Sequence, residues 1–320
     1  FFGTAFILGL LQYYNFFEIT DYTYFFYKSF YNYPFLIFPL VAILAGIIYG
    51  AYKNYLKNLY LDKGLETKQK EVQNLNLSWL DQFGSFGTFL KLDIKMLLRN
   101  KRSKSTMLMS FGFVFYGLLF FTNITEIYNN SFMYMFAAIF VTGGFIFNFG
   151  NYIPSWDSSY YSLMMTQNIT YNNYLKSKWL LMVLSTIICC FLSLFYLYFG
   201  LNIYLMILSG AIFNIGVNTH LVMLTGAFVK TPIDLSTNKN LMGDKSAFNV
   251  KSILLSLPKM LLPMFLYAIG VLIKDETLGY ILVSLAGIIG FAFRNYIFRQ
   301  IEKVYKREKY STLAAYKQTN

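Results

Sequence analysis

Eight apolar stretches, each long enough to cross about 30 Å of hydrocarbon as a helix, alternate with polar segments along this chain. They fall at roughly 1–17, 34–53, 105–123, 132–149, 178–199, 203–229, 252–273 and 278–298, located by unbroken apolar length rather than by alternation. The polar segments differ in charge by turns. Lysine and arginine crowd into 53–104, 176–178, 230–251 and 294–317, whereas the alternate loops 18–33, 123–131, 200–203 and 274–277 hold only Lys28 and Lys274. Lys259 falls within a span, so 24 of the 27 cations lie on one side. The positive-inside rule places that side, with both ends of this sequence, in the cytoplasm. The pattern predicts an all-α polytopic membrane protein with about eight transmembrane helices.

One polar segment has a pattern of its own. Wound at about 100° per residue, Phe86, Leu90, Ile94 and Leu97 share a narrow arc, and Lys91, Lys95, Arg99 and Arg102 gather roughly 130° round. A basic amphipathic helix over 86–104, opening straight into a span, suits a membrane surface, with its apolar face in the acyl boundary and its cations among anionic headgroups. Positive-inside topology alone also accounts for those cations. Before it, 56–85 reads as a cytoplasmic linker; 18–33 reads as an external aromatic loop and 301–320 as a basic cytoplasmic tail.

The loop 150–177 carries helix signals. Pro154 ends the preceding span, Ser155 is a good N-cap, and Asp157 falls in the first turn, where its charge suits the helix dipole. A short amphipathic helix near 154–168 is expected. It is either a plain interfacial loop or a helix presenting Trp156, Asp157 and Tyr160 to a partner. Span six holds Asn214, Asn218, Thr219 and the single histidine, His220. Polar groups in a membrane helix line a pathway or simply bond neighbouring helices. A tight external turn is expected at Gly200–Asn202. Pro258 and Pro263 should bend or break span seven, and Lys259 should snorkel.

Composition removes several function classes. Hydrophobic residues make up 56% and charged residues 13%, with a mean hydropathy of +0.45, which excludes an ordinary soluble domain. The net charge of +12 is explained by topology and implies no nucleic acid. Cys189 and Cys190 are adjacent in an apolar run, so they form neither a disulfide framework nor a metal motif. No H-E-x-x-H, G-x-S-x-G or paired-cysteine pattern occurs. Gly243-Asp244-Lys245-Ser246 is not a phosphate loop, because Asp244 interrupts Gly-Lys and the first glycine is missing. No catalytic residue, metal site or cofactor is expected in this chain, and any ATP must be handled by another subunit.

Leu44-Ala45-Gly46-Ile47-Ile48 recurs as Leu285-Ala286-Gly287-Ile288-Ile289, and the register continues as Lys53-Asn54-Tyr55 against Arg294-Asn295-Tyr296. Such a repeat suggests a duplicated transporter. It would make this sequence the C-terminal part of a longer two-half permease, with about 155 residues or more upstream.

The order of surface helix, two spans, cytoplasmic helix and four more spans resembles the permease half of type-2 ABC exporters. The wording is more specific. WLDQFGSFGTFLKLDIKMLLRNKRSKS, SWDSSYY, YLKSKW, FNIGVN and the later Ile233-Asp234-Leu235 resemble the DUF5687 family, bacterial and chiefly Bacteroidota membrane proteins regarded as ABC permease-like. The resemblance covers nearly all of 35–300. It implies that 1–55 holds the last two helices of a first permease half and 105–300 a six-helix second half. It makes 86–104 a connecting elbow and seats Trp156 and Asp157 in a groove of an ATPase subunit, present in two copies. An unknown small or lipid-like substrate would then move between the halves. The alternative is a scaffold with the same fold that has lost transport and docks a partner in an envelope complex.

Overall fold

A computed structural model describes residues 19–33, 35, 37–58, 76–122, 130–167, 169–235 and 250–317. The expected first span (1–17), most of the linker, the 123–129 turn and Gly243–Ser246 lie outside the described residues. Among the described residues all regular structure is helical. The chain divides into two units, Phe1–Val72 and Gln73–Asn320.

The first unit contains α1 (Ile19–Asn32) and α2 (Ile37–Asn58). The expected external loop at 18–33 is therefore helix over nearly its whole length. It contains no glycine or proline, and it stops where Pro34 disfavours helix at the preceding residue.

In the second unit a short 3-10 turn, Ser78–Phe83, leads into α3 (Gly84–Arg99). Next come α4 (Lys101–Phe121), α5 (Ser131–Gly150), α6 (Ile153–Trp156), α7 (Tyr161–Thr166) and α8 (Tyr171–Phe199). The last four are α9 (Leu201–Gly226), α10 (Val250–Ile273), α11 (Glu276–Ala292) and α12 (Arg294–Lys317). Helices α4, α5, α8, α9 and the 256–273 part of α10 are long and apolar enough to cross a membrane. Helices α11 and α12, bent by 67° at their junction, make a sixth span if counted together. This is the make-up of a multi-pass membrane protein.

Between α8 and α9 the chain turns on Gly200, whose φ of +129° excludes most L side chains. Of the expected bend or break at Pro258 and Pro263, α10 shows no break, running as one helix through both; packed membrane-type helices tolerate proline because neighbours re-satisfy the freed backbone. Lys259 does not snorkel. It is buried, and its ammonium donates to Asn151 Oδ1 and, at 3.3 Å, to Ser256 Oγ.

Two apolar clusters form the core. One gathers Phe149, Trp156, Tyr174, Met182, Val222 and Tyr305; the other gathers Val114, Ile139, Tyr196, Ile207 and Tyr267. Helix α12 is sewn into the first. Its buried residues Phe298, Ile301, Tyr305, Thr312 and Tyr316 recur at helical spacing. Tyr305 donates to the Met223 carbonyl at 3.0 Å, and Lys309 donates to that of Met165 at 3.2 Å. The expected basic tail from 301 is thus a docked helix as far as Lys317. Its cations Lys303, Lys306 and Arg307 take the exposed side.

Candidate functional site

The densest polar chemistry lies where α3, α8 and the α6–α7 segment meet. Lys178 of α8 donates to Asp93 of α3 and, at 2.9 Å, to Asp157 after α6, and all three side chains are 3% exposed or less. Tyr174 donates to Asp157 at 2.7 Å, Tyr160 donates to its other oxygen, and Ser177 donates to Asp93 at 3.2 Å. The Lys178 ammonium also lies 5.2 Å from the ring centre of Tyr174 and 5.8 Å from that of Phe149, within cation–π range.

Local geometry explains how the three meet. On the α3 wheel Asp93 falls roughly 20° outside Phe86, at the edge of the apolar arc and between Met96 and Leu97 on the face that is buried, so the face that turns inward carries a carboxylate with it. Lys178 likewise lies in the buried stripe of α8 that includes Tyr171, Tyr174, Leu175 and Met182. Asp157 follows Trp156, which anchors the segment by stacking on Phe149 (5.8 Å between ring centres) and donating its indole N–H to the Phe149 carbonyl at 3.1 Å.

Two carboxylates facing one ammonium leave a net negative charge away from water, which is costly. Burial accordingly pushes the Asp93 carboxyl up to about 6; Lys178 pulls it down and Asp157 repels it upward. Burial, reinforced by Asp157, also lifts the Tyr160 phenol well above its usual range, so it remains a donor. For Asp93 the folded pKa exceeds the unfolded one, so its stabilising contribution is complete below about pH 4. That contribution is lost as pH rises to about 6. Asp93→Asn mimics the protonated carboxyl. Thermal unfolding in detergent should therefore show a wild-type decline between pH 4 and 7 that the variant lacks; an equal decline in both would reject the assignment.

This geometry corrects several expectations. Trp156 and Asp157 are not presented to a partner: both are buried, and Tyr160 is half-buried on Asp157. Trp156 packs inward on Phe149, and Asp157 is held by Lys178, Tyr174 and Tyr160. What the segment exposes is Ser159, Ser162, Leu163, Thr166 and Gln167, with Leu163 60% exposed. The elbow ends at Arg99 rather than 104, because Asn100 adopts extended backbone and Lys101 starts α4. Asn100 Nδ2 and Ser103 Oγ both donate to the Met96 carbonyl, bracing the corner.

The α3 face with Gly87, Leu90, Met96 and Leu97 is buried against α8 and the 78–83 turn, not turned to an acyl boundary. Phe86 and Ile94 are half-buried beside it. Of the expected surface cations, Lys91 pairs with Asp81 at 3.0 Å, Lys95 is half-buried and Arg99 is exposed. Arg102 lies beyond the corner and is buried, with its guanidinium donating to the Asp234 carbonyl at 3.3 Å.

The second polar group, in α9, sits in tight packing. Asn214 donates to the Ile139 carbonyl (2.9 Å) and Thr142 Oγ1 (2.8 Å) of α5, and Asn218 donates to Asn214 at 2.7 Å. His220 Nδ1 is 2.8 Å from the Gly216 carbonyl, and its ring meets Phe298 edge-on. All three are buried. Both facing helices carry a π turn, Ile146–Gly150 in α5 and Asn214–Asn218 in α9, a feature frequent at functional positions.

The sequence alone does not single out Asp93, Tyr174 and Lys178, although a carboxylate at the edge of an apolar arc is a usable signal. No group of His, Cys, Asp and Glu among the described residues is arranged to hold a metal. No curated protein and no solved structure matches this chain. The stretches holding Asp93, Asp157 and Lys178 are those whose wording resembled one family. The model of that family, DUF5687, described as a family of unknown function, matches residues 1–319, and the chain belongs to it.

Proposed function

We propose that this chain is the membrane-spanning subunit of an ABC-type exporter, with an eight-span, type-2 permease-like arrangement in the bacterial inner membrane. The basic loops and both ends of this sequence would face the cytoplasm, and two copies of a separate ATPase subunit would supply ATP. The observation that carries this reading is the Asp93–Lys178–Asp157 cluster, which ties the segment between the second and third long helices to both α3 and α8. A push on the α6–α7 segment would be passed through buried ion pairs to a surface helix and a span, as ATP-driven rocking requires.

Docking then belongs to the exposed side of α7, around Leu163, rather than to Trp156 and Asp157. Leu163→Asp should lower recovery of an ATPase subunit from native membranes at least fivefold and abolish stimulated ATP turnover. Unchanged recovery and turnover would remove the docking role. The non-transporting scaffold remains the second reading, favoured by one observation: Asn214, Asn218 and His220 lie in closed packing, not along an open path.

A further inference from the structure

A cavity of about 280 Å³ opens between α3, α8 and α12, beside but distinct from the charge cluster. Lys176 and Arg294 are its two cations, and Phe86, Trp179, Leu180 and Phe298 supply its apolar wall. Neither cation has an ion-pair partner among the described residues, and no carboxylate lines the cavity. Arg294 is held in place from one side only. Its guanidinium lies 4.5 Å from the Phe291 ring centre and donates to the Phe291 carbonyl at 3.3 Å, leaving further donors of its fork uncommitted. Two cations in one cavity with no carboxylate among its lining call for an anion.

The surroundings say what carries that anion. Trp179 stands at the polar-to-apolar boundary within α8, just after Lys176-Ser177-Lys178 and before the apolar run from Leu180, the position of an interfacial aromatic anchor. From Leu180 the stripe Leu184, Ile187 and Phe191 lies within about 60° on the helix wheel, and those three are exposed. A charged, polar-ended pocket thus continues into an uncovered aliphatic track on the same face of one helix.

We propose that this cavity holds the phosphate headgroup of an anionic phospholipid, with an acyl chain along the Leu184–Phe191 stripe. Basic pockets between membrane helices bind such headgroups, and the apolar stripe separates a lipid from a soluble phosphate ester. The proposal needs only that the helices span a bilayer and is independent of transport.

Native mass spectrometry of the whole protein in detergent tests it, using phosphatidylglycerol, phosphatidylcholine with the same acyl chains, and glycerol phosphate as competitor. The wild type should retain one phosphatidylglycerol at least fivefold over phosphatidylcholine. Lys176→Gln with Arg294→Gln should abolish that preference, while Lys176→Arg with Arg294→Lys keeps it. Millimolar glycerol phosphate should leave the bound lipid in place. Equal retention of the two lipids by the wild type, or of phosphatidylglycerol by the neutralised variant, would overturn the site. Complete displacement by glycerol phosphate would overturn the lipid and leave a site for soluble phosphate esters. Should the neutralised variant fail to elute as a single folded species, the lipid preference and the competition in the wild type still decide.

Discussion

Lys178→Met should destabilise the protein by about 3–5 kcal/mol, the range for removing one partner of a buried ion pair. The damage is uneven between the two carboxylates. Asp157 keeps the hydroxyls of Tyr174 and Tyr160, whereas Asp93 keeps only Ser177. Asp93 is also the group that burial already pushes toward the protonated form. Without the ammonium its carboxyl must rise further, so the loss should be smaller at pH 5 than at pH 8, read from unfolding midpoints in detergent. Adding Asp93→Asn should recover part of the loss at pH 8 and little at pH 5. A loss independent of pH, or no recovery from the second change, would show that Lys178 acts by packing alone.

Gly216→Ala should be nearly as harmful despite adding one methyl group. A Cβ at Gly216 would lie 1.8 Å from the Gly287 carbonyl oxygen, and one at Gly287 would lie 2.5 Å from the Ile212 carbonyl oxygen. Both obstacles are backbone, so α9 and α11 must separate rather than repack. Overpacking typically costs about 1–3 kcal/mol and occasionally more; at a helix seam built on small residues, the upper end is expected. Folded yield and thermal midpoint should both fall for Gly216→Ala and Gly287→Ala. Gly46→Ala and Gly50→Ala, whose added methyls meet nothing within 4 Å, should leave both unchanged.

These residues also show what the sequence could and could not disclose. The long apolar helices were legible because their length alone identifies them. The α3 amphipathy was legible too, but what it faced was not: a wheel shows that Leu90 and Leu97 share a side with Asp93, not whether lipid or α8 covers it. Charge counting makes Lys178 one more cytoplasmic cation because it ignores position on the helix. Helix α12 is hidden for a related reason. Its basic residues outvote Phe298, Ile301, Tyr305 and Tyr316 in composition, yet the spacing of those four was there to be seen. Whether Trp156 turns to a partner or inward is not written in 154–168, because its stacking on Phe149 decides its direction.

The paired π turns of α5 and α9 have a consequence for how change is tolerated. A π turn closes i to i+5 instead of i to i+4, so each inserts one extra residue and advances everything after it by roughly a quarter revolution. In α5 the next residue is Asn151, which receives Lys259, and the whole α6–α7 segment comes after it. Loss of a single residue anywhere in 146–150 would therefore leave no local gap. It would act as a phase slip, swinging Trp156 and Asp157 off their partners further along the chain.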